Sequence, residues 1–298
     1  MMETIGFIGT GIMGNPMCKR LLAAGHQLLI FDARPEAMAP LLAMGAEAVT
    51  SAAELGEGCH KVITMLPNST VVEGVVLGKG GLAEGLSPGS ILIDMSSSLP
   101  TSTQKIAAAL AEKGVEMIDA PVSGGVTGAN EGTLAIMVGG KEELYRECLP
   151  LLQTMGRNVF HIGPVSTGHA MKTINNMMSA INTLGVCEAM VLGTKAGLAP
   201  AKIVEVCSAG SGGSYALEKK GGHIILANDF KPGFTADLMY KDLDIATTLG
   251  RQLGVPLMEA NLVHQILGIV RARGMNALDY TCMVKVIEEV AGIKVVPE

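Results

Sequence analysis

The sequence IGFIGTGIMG at residues 5–14 places Gly9, Gly11 and Gly14 at the spacing GxGxxG, directly after an apolar run. A helix is predicted immediately afterwards, over residues 15–24. Gly9 permits a tight turn, Gly11 lets a ligand approach the backbone, and Gly14 lets helix and strand pack closely. This order of strand, glycine turn and helix predicts a site for the pyrophosphate of a dinucleotide. The candidate binding residues of the loop are Gly9, Thr10, Gly11, Ile12, Met13 and Gly14.

The next predicted strand, residues 27–32, ends in Asp32 at the distance expected for a ribose-binding acid. Asp32 is expected to accept hydrogen bonds from the ribose hydroxyls of NAD and to repel the 2′-phosphate of NADP. Arg34 could neutralise Asp32 or pair with that phosphate. NAD is therefore the preferred cofactor, and NADP stays possible. The alternatives are a glycine-rich turn without a ligand and, at Asp32, an ordinary turn residue before Pro35.

Short apolar runs alternate with stretches of helical length over about the first 160 residues, as in a parallel sheet wrapped by helices. The predicted strands are 5–9, 27–32, 61–66, 90–94, 116–119, 134–138 and 158–162. Beyond residue 164 only helices are predicted, over 168–197, 200–208, 214–228, 235–253, 256–273 and 279–291. The pattern predicts an α/β fold in which a Rossmann-type doubly wound domain, 1–164, precedes an all-α substrate and oligomerisation domain, 165–298. Residues 165–196 are the predicted linking helix.

The charged residues, 28 acidic and 22 basic, give a net charge of −6, and the chain has no Trp. It therefore offers no basic surface, and few of the aromatic side chains, with which proteins bind nucleic acids, so nucleic acid is not an expected partner. The apolar stretches are shorter than the roughly 18 residues of a membrane span, so no membrane association is expected. The six cysteines form no CxxC pair and the histidines show no ligand spacing, which predicts free thiols and no metal site. With no export signal recognised, a cytoplasmic location is expected.

Three predicted strands are followed by loops that should line the ligand crevice of an open α/β sheet, at residues 65–69, 94–98 and 119–125. The glycines of the third loop expose successive backbone amides, which predicts a site for a substrate carboxylate. Turn chemistry alone is the alternative interpretation of each loop, and it weighs most for the first two. The candidate residues in these loops are Leu66, Pro67, Ser97, Ser123, Gly124 and Gly125.

Four polar residues share one face of the predicted long helix, at positions i, i+3, i+4 and i+7: Lys172, Asn175, Asn176 and Ser179. Apolar neighbours disfavour the ammonium form of a lysine, which suits a residue that exchanges a proton with an alcohol oxygen. A lysine whose stem snorkels along the helix is the alternative. His169 could reach the cleft, but an ordinary histidine at a helix start is the favoured interpretation.

Six blocks of the chain resemble the signature blocks of the β-hydroxyacid dehydrogenase family, in order and without large gaps: GFIGTGIMGNPM, DMSSS, DAPVSGG, EGTLAIMVGG, GHAMKTINN and PGFTADLMYKDLDIA. The resemblance implies that Lys172 is the catalytic lysine and that Asn176 or Asn175 orients the substrate. It also implies that Ser123, Gly124 and Gly125 bind a carboxylate. By the same resemblance Ser97 lies near the nicotinamide, and Lys241 with Asp242, both candidate cofactor-binding residues, reaches across from the helical domain to close over the site.

The reaction implied is reversible hydride transfer between NAD(P) and the hydroxyl carbon of a small β-hydroxyacid. Candidate substrates are 2-(hydroxymethyl)glutarate, 3-hydroxyisobutyrate and the pair tartronate semialdehyde and glycerate. Val126, Thr127 and the polar segment 208–215 are expected to set this choice. The alternatives are a decarboxylating 6-phosphogluconate-type dehydrogenase and a catalytically silent dinucleotide-binding module.

A homo-oligomer, dimer or tetramer, is expected because the helical domain has more apolar residues than one modest core would hide. The residues that carry this expectation are Ile224, Ile225, Leu226, Leu262, Val263, Ile266, Leu267, Ile269 and Val270.

Overall fold

The computed structural model describes residues 3–296 and contains two compact units, Met1–Lys172 and Thr173–Glu298. The division between the units falls inside the long helix, whereas the sequence places the domain boundary before that helix. The predicted ranges 1–164 and 165–298, with 165–196 as linking helix, stay a prediction. The first two and last two residues of those ranges lie outside the described residues.

A single sheet forms the centre of the first unit. Within residues 3–296 it has nine strands: β1 Thr4–Ile8, β2 Gln27–Phe31, β3 Glu47–Ala48, β4 Lys61–Thr64, β5 Ile91–Asp94, β6 Glu116–Asp119, β7 Val122–Ser123, β8 Leu134–Gly139 and β9 Gly156–Gly163. The strands β3, β2, β1, β4, β5 and β6 lie side by side in that order and are parallel. The chain changes direction across the sheet between β1 and β4, where open α/β sheets bind their ligands.

The far edge of the sheet is partly antiparallel, which corrects the predicted parallel sheet. β6 and β7 both pair antiparallel with β8, in one register that continues through Pro121, whose carbonyl oxygen accepts from Met137 N at 3.0 Å. β6 and β7 are thus two parts of one interrupted strand. On its other side β8 pairs with β9, in parallel. The strands β3 and β7 were not predicted, because two residues are too few to show alternation.

Helices cover both faces of this sheet. They are α1 Gly14–Ala23, α2 Pro35–Leu42, α3 Ala52–Gly58, α4 Ser69–Leu77, α5 Leu82–Gly85, α6 Pro100–Ala111, α7 Gly125–Glu131 and α8 Glu142–Gln153. Because side chains alternate along a strand, Phe7 packs in one core with α1 and α8, and Ile8 packs in another with α3 and α4. This doubly wound arrangement confirms the predicted Rossmann-type domain.

The second unit is helical over its described residues, apart from one β-bridge between Thr235 and Asp279. The long helix α9, Thr167–Lys195, begins in the first unit and continues into the second. It is followed by α10 Pro200–Ala209, a π-helix Ala216–Ile225, α11 Ala236–Leu253, α12 Met258–Ala272, a 3₁₀ turn Tyr280–Cys282 and α13 Met283–Ala291. Leu243, Leu267 and Met283, one from each of the last three α-helices, lie in one core that also includes Leu184 of α9 and Ile203 of α10.

Two predicted helices differ from those observed. The segment 214–228 forms a π-helix, in which Leu226 N donates to the carbonyl oxygen of Gly221, five residues earlier. The segment 279–291 begins as a 3₁₀ turn, where the side chain of Asp279 accepts from Thr281 N. Helix α9, with 29 residues, is also long and apolar enough to cross a bilayer, a test that core helices of soluble proteins pass too.

Most of the apolar residues that predicted oligomerisation are covered within the second unit. Of the nine, Leu262 and Ile269 are exposed, and the others are buried or half-buried. The expectation that these nine residues exceed what the core of the second unit can bury is therefore wrong for seven of them. Leu253 and Met258, at the end of α11 and the start of α12, are additional exposed apolar residues.

Candidate active site

The glycine loop joins β1 to α1, and two of its glycines are required by close backbone contacts. Gly9 has a φ of +96°, and a Cβ there would lie 2.3 Å from the carbonyl oxygen of Met65. A Cβ at Gly14, the first residue of α1, would lie 1.9 Å from the carbonyl oxygen of Gly9. At Gly11 a Cβ would meet only the Arg34 guanidinium, at 3.3 Å. The backbone at Gly11 is therefore open to a ligand.

The start of α1 is suited to an anion. Met13 precedes the helix and makes no side-chain cap hydrogen bond, and the first turn has no acidic residue. Asn15 N donates to the carbonyl oxygen of Gly11 and Pro16 has no N–H, so the helix dipole and the open backbone at Gly11 are the features that favour a negative ligand here. Thr10 is buried, whereas Ile12 is 80 % exposed. Together with the close-packed glycines, these features fit the pyrophosphate of a dinucleotide.

Asp32 follows β2, and its carboxylate is held against the glycine loop. Thr10 N donates to Oδ2 at 2.8 Å, and Arg34 N donates to Oδ1 at 2.9 Å. The Asp32 side chain is 10 % exposed; Arg34 Nε lies 3.8 Å from Oδ1 on a side chain that is 65 % exposed. Since the guanidinium is mostly in water, it neutralises the carboxylate only weakly. Thr10 Oγ1 also donates to Oδ2, at 3.4 Å, and the predicted bonds from ribose hydroxyls to Asp32 stay a prediction.

Ser96 joins the loops that follow β4 and β5. Its hydroxyl oxygen accepts from Leu66 N at 2.9 Å, and its backbone N donates to Asp94 Oδ1 at 3.1 Å. The adjacent residues Pro67 and Ser97 are exposed and half-buried, respectively. The structure thus brings together the two loops that carry the predicted cofactor residues. The sequence did not identify the bond through Ser96, because the two loops are 30 residues apart.

The predicted carboxylate site lies where β7 ends and α7 begins. Ser123 is half-buried, and Gly124 and Gly125 are exposed. Both glycines have positive φ, +132° and +62°, and a Cβ at Gly125 would meet nothing within 4 Å. This backbone is accessible and adopts conformations in which successive N–H groups can face an anion.

Lys172 lies in the second turn of α9 and is only 9 % exposed. So low an exposure is unusual for a lysine and favours the catalytic interpretation over the snorkelling one. His169, one turn earlier, is fully buried, as are Asp94 and Asp119 beside it. The sequence missed this cluster. The signal available was that both aspartates end predicted neighbouring strands, since such ends lie at one edge of the sheet.

In the second unit, α9 and α11 hold a chain of polar contacts. Asn175 Nδ2 donates to Asn176 Oδ1 at 3.0 Å, and Asn176 Nδ2 donates to Asp242 Oδ2 at 2.5 Å. Asp242 is buried, and Lys241 Nζ lies 2.9 Å from its other oxygen. The Asp242 carboxylate thus orients the Asn176 amide. The predicted contacts of Lys241 and Asp242 with the cofactor stay a prediction.

All six cysteines are free thiols, and five of them are buried while Cys207 is half-buried. Burial raises the pKa of Cys59 to about 11 and the pKa of Cys148 and Cys282 to about 12. In the described part of the chain, no three His, Cys, Asp or Glu residues are placed to hold a metal ion.

Two family models match adjoining parts of the chain. The NAD-binding domain of 6-phosphogluconate dehydrogenase matches residues 4–163. The NAD-binding domain of NADP-dependent 3-hydroxyisobutyrate dehydrogenase matches residues 166–287. The second match does not favour the alternative of a decarboxylating 6-phosphogluconate-type enzyme.

Curated relatives are similar over almost their whole length. The 2-(hydroxymethyl)glutarate dehydrogenase of Eubacterium barkeri is 40 % identical, across 98 % of this chain and 97 % of its own. The NAD-dependent L-serine dehydrogenase of Pseudomonas aeruginosa is 38 % identical, across 98 % of this chain and 100 % of its own. A solved structure of Mycobacterium tuberculosis 3-hydroxyisobutyrate dehydrogenase with L-serine has a TM-score of 0.90 at 33 % identity, covering 96 % of this chain and 99 % of that chain. The substrates in these names all carry a hydroxyl group β to a carboxylate.

Proposed function

Since this chain belongs to the β-hydroxyacid dehydrogenase family, we propose that Lys172 is its general acid and base in the oxidation of a small β-hydroxyacid. The protein is an NAD(P)-dependent oxidoreductase that acts on a CH–OH group. The observation that carries the role of Lys172 is the near-complete burial of its side chain at the start of α9. Asn175 and Asn176, the proposed substrate-orienting residues, lie three and four residues further along the same helix.

NAD(P), when bound, supplies at C4 of the nicotinamide the acceptor for the hydride that leaves the substrate carbon, or its donor in reduction. The residues of the glycine loop hold the pyrophosphate, and Asp32 accepts hydrogen bonds from the ribose hydroxyls. Leu66, Pro67 and Ser97 are assigned to the nicotinamide side of the cofactor. We infer a preference for NAD, because the Asp32 carboxylate is fixed at the loop and only weakly neutralised.

Lys172 moves the proton of the reaction. In oxidation its neutral amine accepts the hydroxyl proton while the substrate C–H bond breaks and the C=O bond forms. In reduction its ammonium returns that proton to the carbonyl oxygen. Its burial keeps bulk water away from the nitrogen that exchanges this proton with the substrate oxygen.

The substrate carboxylate is assigned to Ser123 and the two exposed glycines that follow it, Gly124 and Gly125. Their positive φ values and open surroundings support this assignment. Val126, Thr127 and the segment 208–215 are proposed to select among 2-(hydroxymethyl)glutarate, 3-hydroxyisobutyrate and the pair tartronate semialdehyde and glycerate. L-Serine, named for one relative and bound to a solved neighbour, joins these candidates.

The test is a panel of these β-hydroxyacids and their semialdehydes, assayed at 340 nm with both cofactors. Lys172→Ala should lower kcat by about 10²–10⁴-fold, the usual contribution of general acid–base catalysis. Lys172→Arg should not restore turnover, because a guanidinium stays protonated. Lys195→Ala, which removes an exposed lysine at the far end of the same helix, is the matched control and should keep kcat.

NADH binding, followed by fluorescence, should be unchanged in the two Lys172 variants. Near-normal turnover of Lys172→Arg would refute the proton-transfer role. A native protein that binds NADH but turns over no member of the panel would instead support the alternative of a silent dinucleotide-binding module.

We also propose that the protein acts in the cytoplasm as a homodimer or homotetramer. The exposed apolar residues Leu253, Met258, Leu262 and Ile269 of α11 and α12 support self-association. Light scattering should give a mass at least twice 30.8 kDa at micromolar concentration. A single species of monomer mass would contradict the proposal.

A further inference from the structure

His169, the third residue of α9, is completely buried, and both of its ring nitrogens have partners. Nε2 lies 3.0 Å from the carbonyl oxygen of Ser96, and Nδ1 lies 2.8 Å from Thr103 Oγ1. Because a carbonyl oxygen can only accept, Nε2 must carry a proton and donate it. The imidazole therefore ties the start of α9 to the loop after β5.

Two buried carboxylates flank the ring. Asp94 Oδ2 lies 3.8 Å from Nε2 of His169, and Asp119 Oδ2 lies 3.6 Å from Nδ1. Asp119 also accepts from the backbone N of Ser166 at 2.6 Å and from that of His169 at 2.7 Å. The carboxylate of Asp119 therefore satisfies N–H groups at the start of α9. Through Asp119, strand β6 thus holds the first turn of the helix in place.

The other end of this connection reaches the cofactor loops. Ser96, whose carbonyl oxygen accepts from His169, uses its own hydroxyl oxygen to accept from Leu66 N at 2.9 Å. A continuous path of hydrogen bonds thus runs from α9 through the loop after β5 to the loop after β4. Lys172 lies three residues after His169, on the same side of the helix.

We propose that His169 is a positioning residue for hydride transfer: its Nε2–H bond to Ser96 holds Lys172 in register with the loops that carry Leu66 and Ser97. The proposal rests on the proposed function of Lys172. The ring acts through its donor, so a side chain of similar length with an N–H at the same place should substitute for it. Asp119 holds the helix N-terminus and Asp94 lies beside the ring; neither carboxylate is assigned a contact with the substrate.

The test compares His169→Gln, which keeps a terminal N–H donor, with His169→Met, which has a similar length and no donor. His169→Met should lower kcat by about 100-fold, the cost of a misplacement of about 1 Å, and His169→Gln should stay within about fivefold of native. The Kd of NADH should change little in both. With deuterium at the reacting carbon of the substrate, the isotope effect on kcat should rise in His169→Met, because hydride transfer becomes slower than the other steps.

Hydrogen exchange in the cofactor-free protein gives a readout that does not depend on activity. Amides of residues 96–98 and 168–172 should exchange faster in His169→Met than in His169→Gln. Equal loss of kcat in both variants, or native kcat in both, would overturn the proposal. If His169→Met does not fold, His169→Asn takes its place, because its shorter amide puts an N–H near the Nδ1 position and none at the Nε2 position; kcat within twofold of native in His169→Asn would overturn the proposal. A native protein that is inactive on all substrates would refute the proposed function. Faster exchange in His169→Met would still show that the bond from His169 to Ser96 connects the start of α9 to the loop after β5.

Discussion

Asp32→Asn should weaken the preference for NAD over NADP, because it removes a negative charge beside the glycine loop and keeps the shape of the side chain. The native carboxylate accepts from Thr10 N at 2.8 Å and from Arg34 N at 2.9 Å. The asparagine oxygen can keep the bond to Thr10, since an amide has one acceptor oxygen. The turn is therefore expected to survive while the charge is lost.

The size of the effect follows from the charge on the 2′-phosphate. At about 5 Å and an effective dielectric constant of about 20, two unit charges interact by roughly 3 kcal/mol. At about 1.4 kcal/mol per decade, this energy corresponds to roughly 100-fold in relative affinity. Arg34 opposes the repulsion, but its guanidinium is mostly exposed and screened by water. We expect a native preference for NAD of roughly 100-fold and a preference below about tenfold in Asp32→Asn.

The assay is kcat/KM for NAD and NADP with one β-hydroxyacid, together with fluorescence titrations of NADH and NADPH that require no substrate. Glu36→Gln is the matched control, because it removes the same charge from an exposed position in the first turn of α2. Its cofactor preference should equal that of the native protein. A native preference for NADP, or an unchanged preference in Asp32→Asn, would refute the reasoning.

Gly14→Ala should abolish measurable NADH binding, since its Cβ would lie 1.9 Å from the carbonyl oxygen of Gly9; Gly74→Ala in α4, with nothing within 4 Å, should bind NADH normally. Equal binding by both variants would contradict the close packing of the loop. With a thiol reagent such as DTNB at pH 8, only Cys207 should react quickly. The pKa of Cys59 is about 11, which leaves roughly one such thiol in a thousand ionised. Cys207→Ser should remove the fast phase, and a second fast thiol would disprove the assignment.

Strands and helices of the first unit could be predicted from the sequence where the local hydrophobic pattern agrees with the burial that the fold gives those residues. Helices cover both faces of the sheet, so its strands are continuous apolar runs with clear ends. The predicted strands 61–66 and 90–94 differ from β4 and β5 by at most two residues at one end. The long helix, predicted over 168–197, is found over Thr167–Lys195. The glycine loop and Asp32 could be placed because each residue has a backbone or charge requirement that few others meet.

Contacts between distant segments could not be predicted in this way. His169 bonds to residues 66 and 73 positions earlier, and Asn176 bonds to Asp242, 66 positions later. Periodicity reports which face of a helix a residue occupies, but not which side chain another element presents to that face. The same holds for the π-helix, because apolar spacing does not reveal whether a turn closes over four residues or five.

The π-helix Ala216–Ile225 follows the proposed specificity segment 208–215 and can lose a residue without losing its helical hydrogen bonds. Each of its hydrogen bonds spans one residue more than in an α-helix. Deletion of one residue inside it would let ordinary α-helical turns form with their backbone bonds intact. In α11 or α12 the same deletion would rotate every later side chain by about 100° and expose the buried face. Changes in length are therefore expected to accumulate in this stretch during evolution, while the core of the second unit keeps its register.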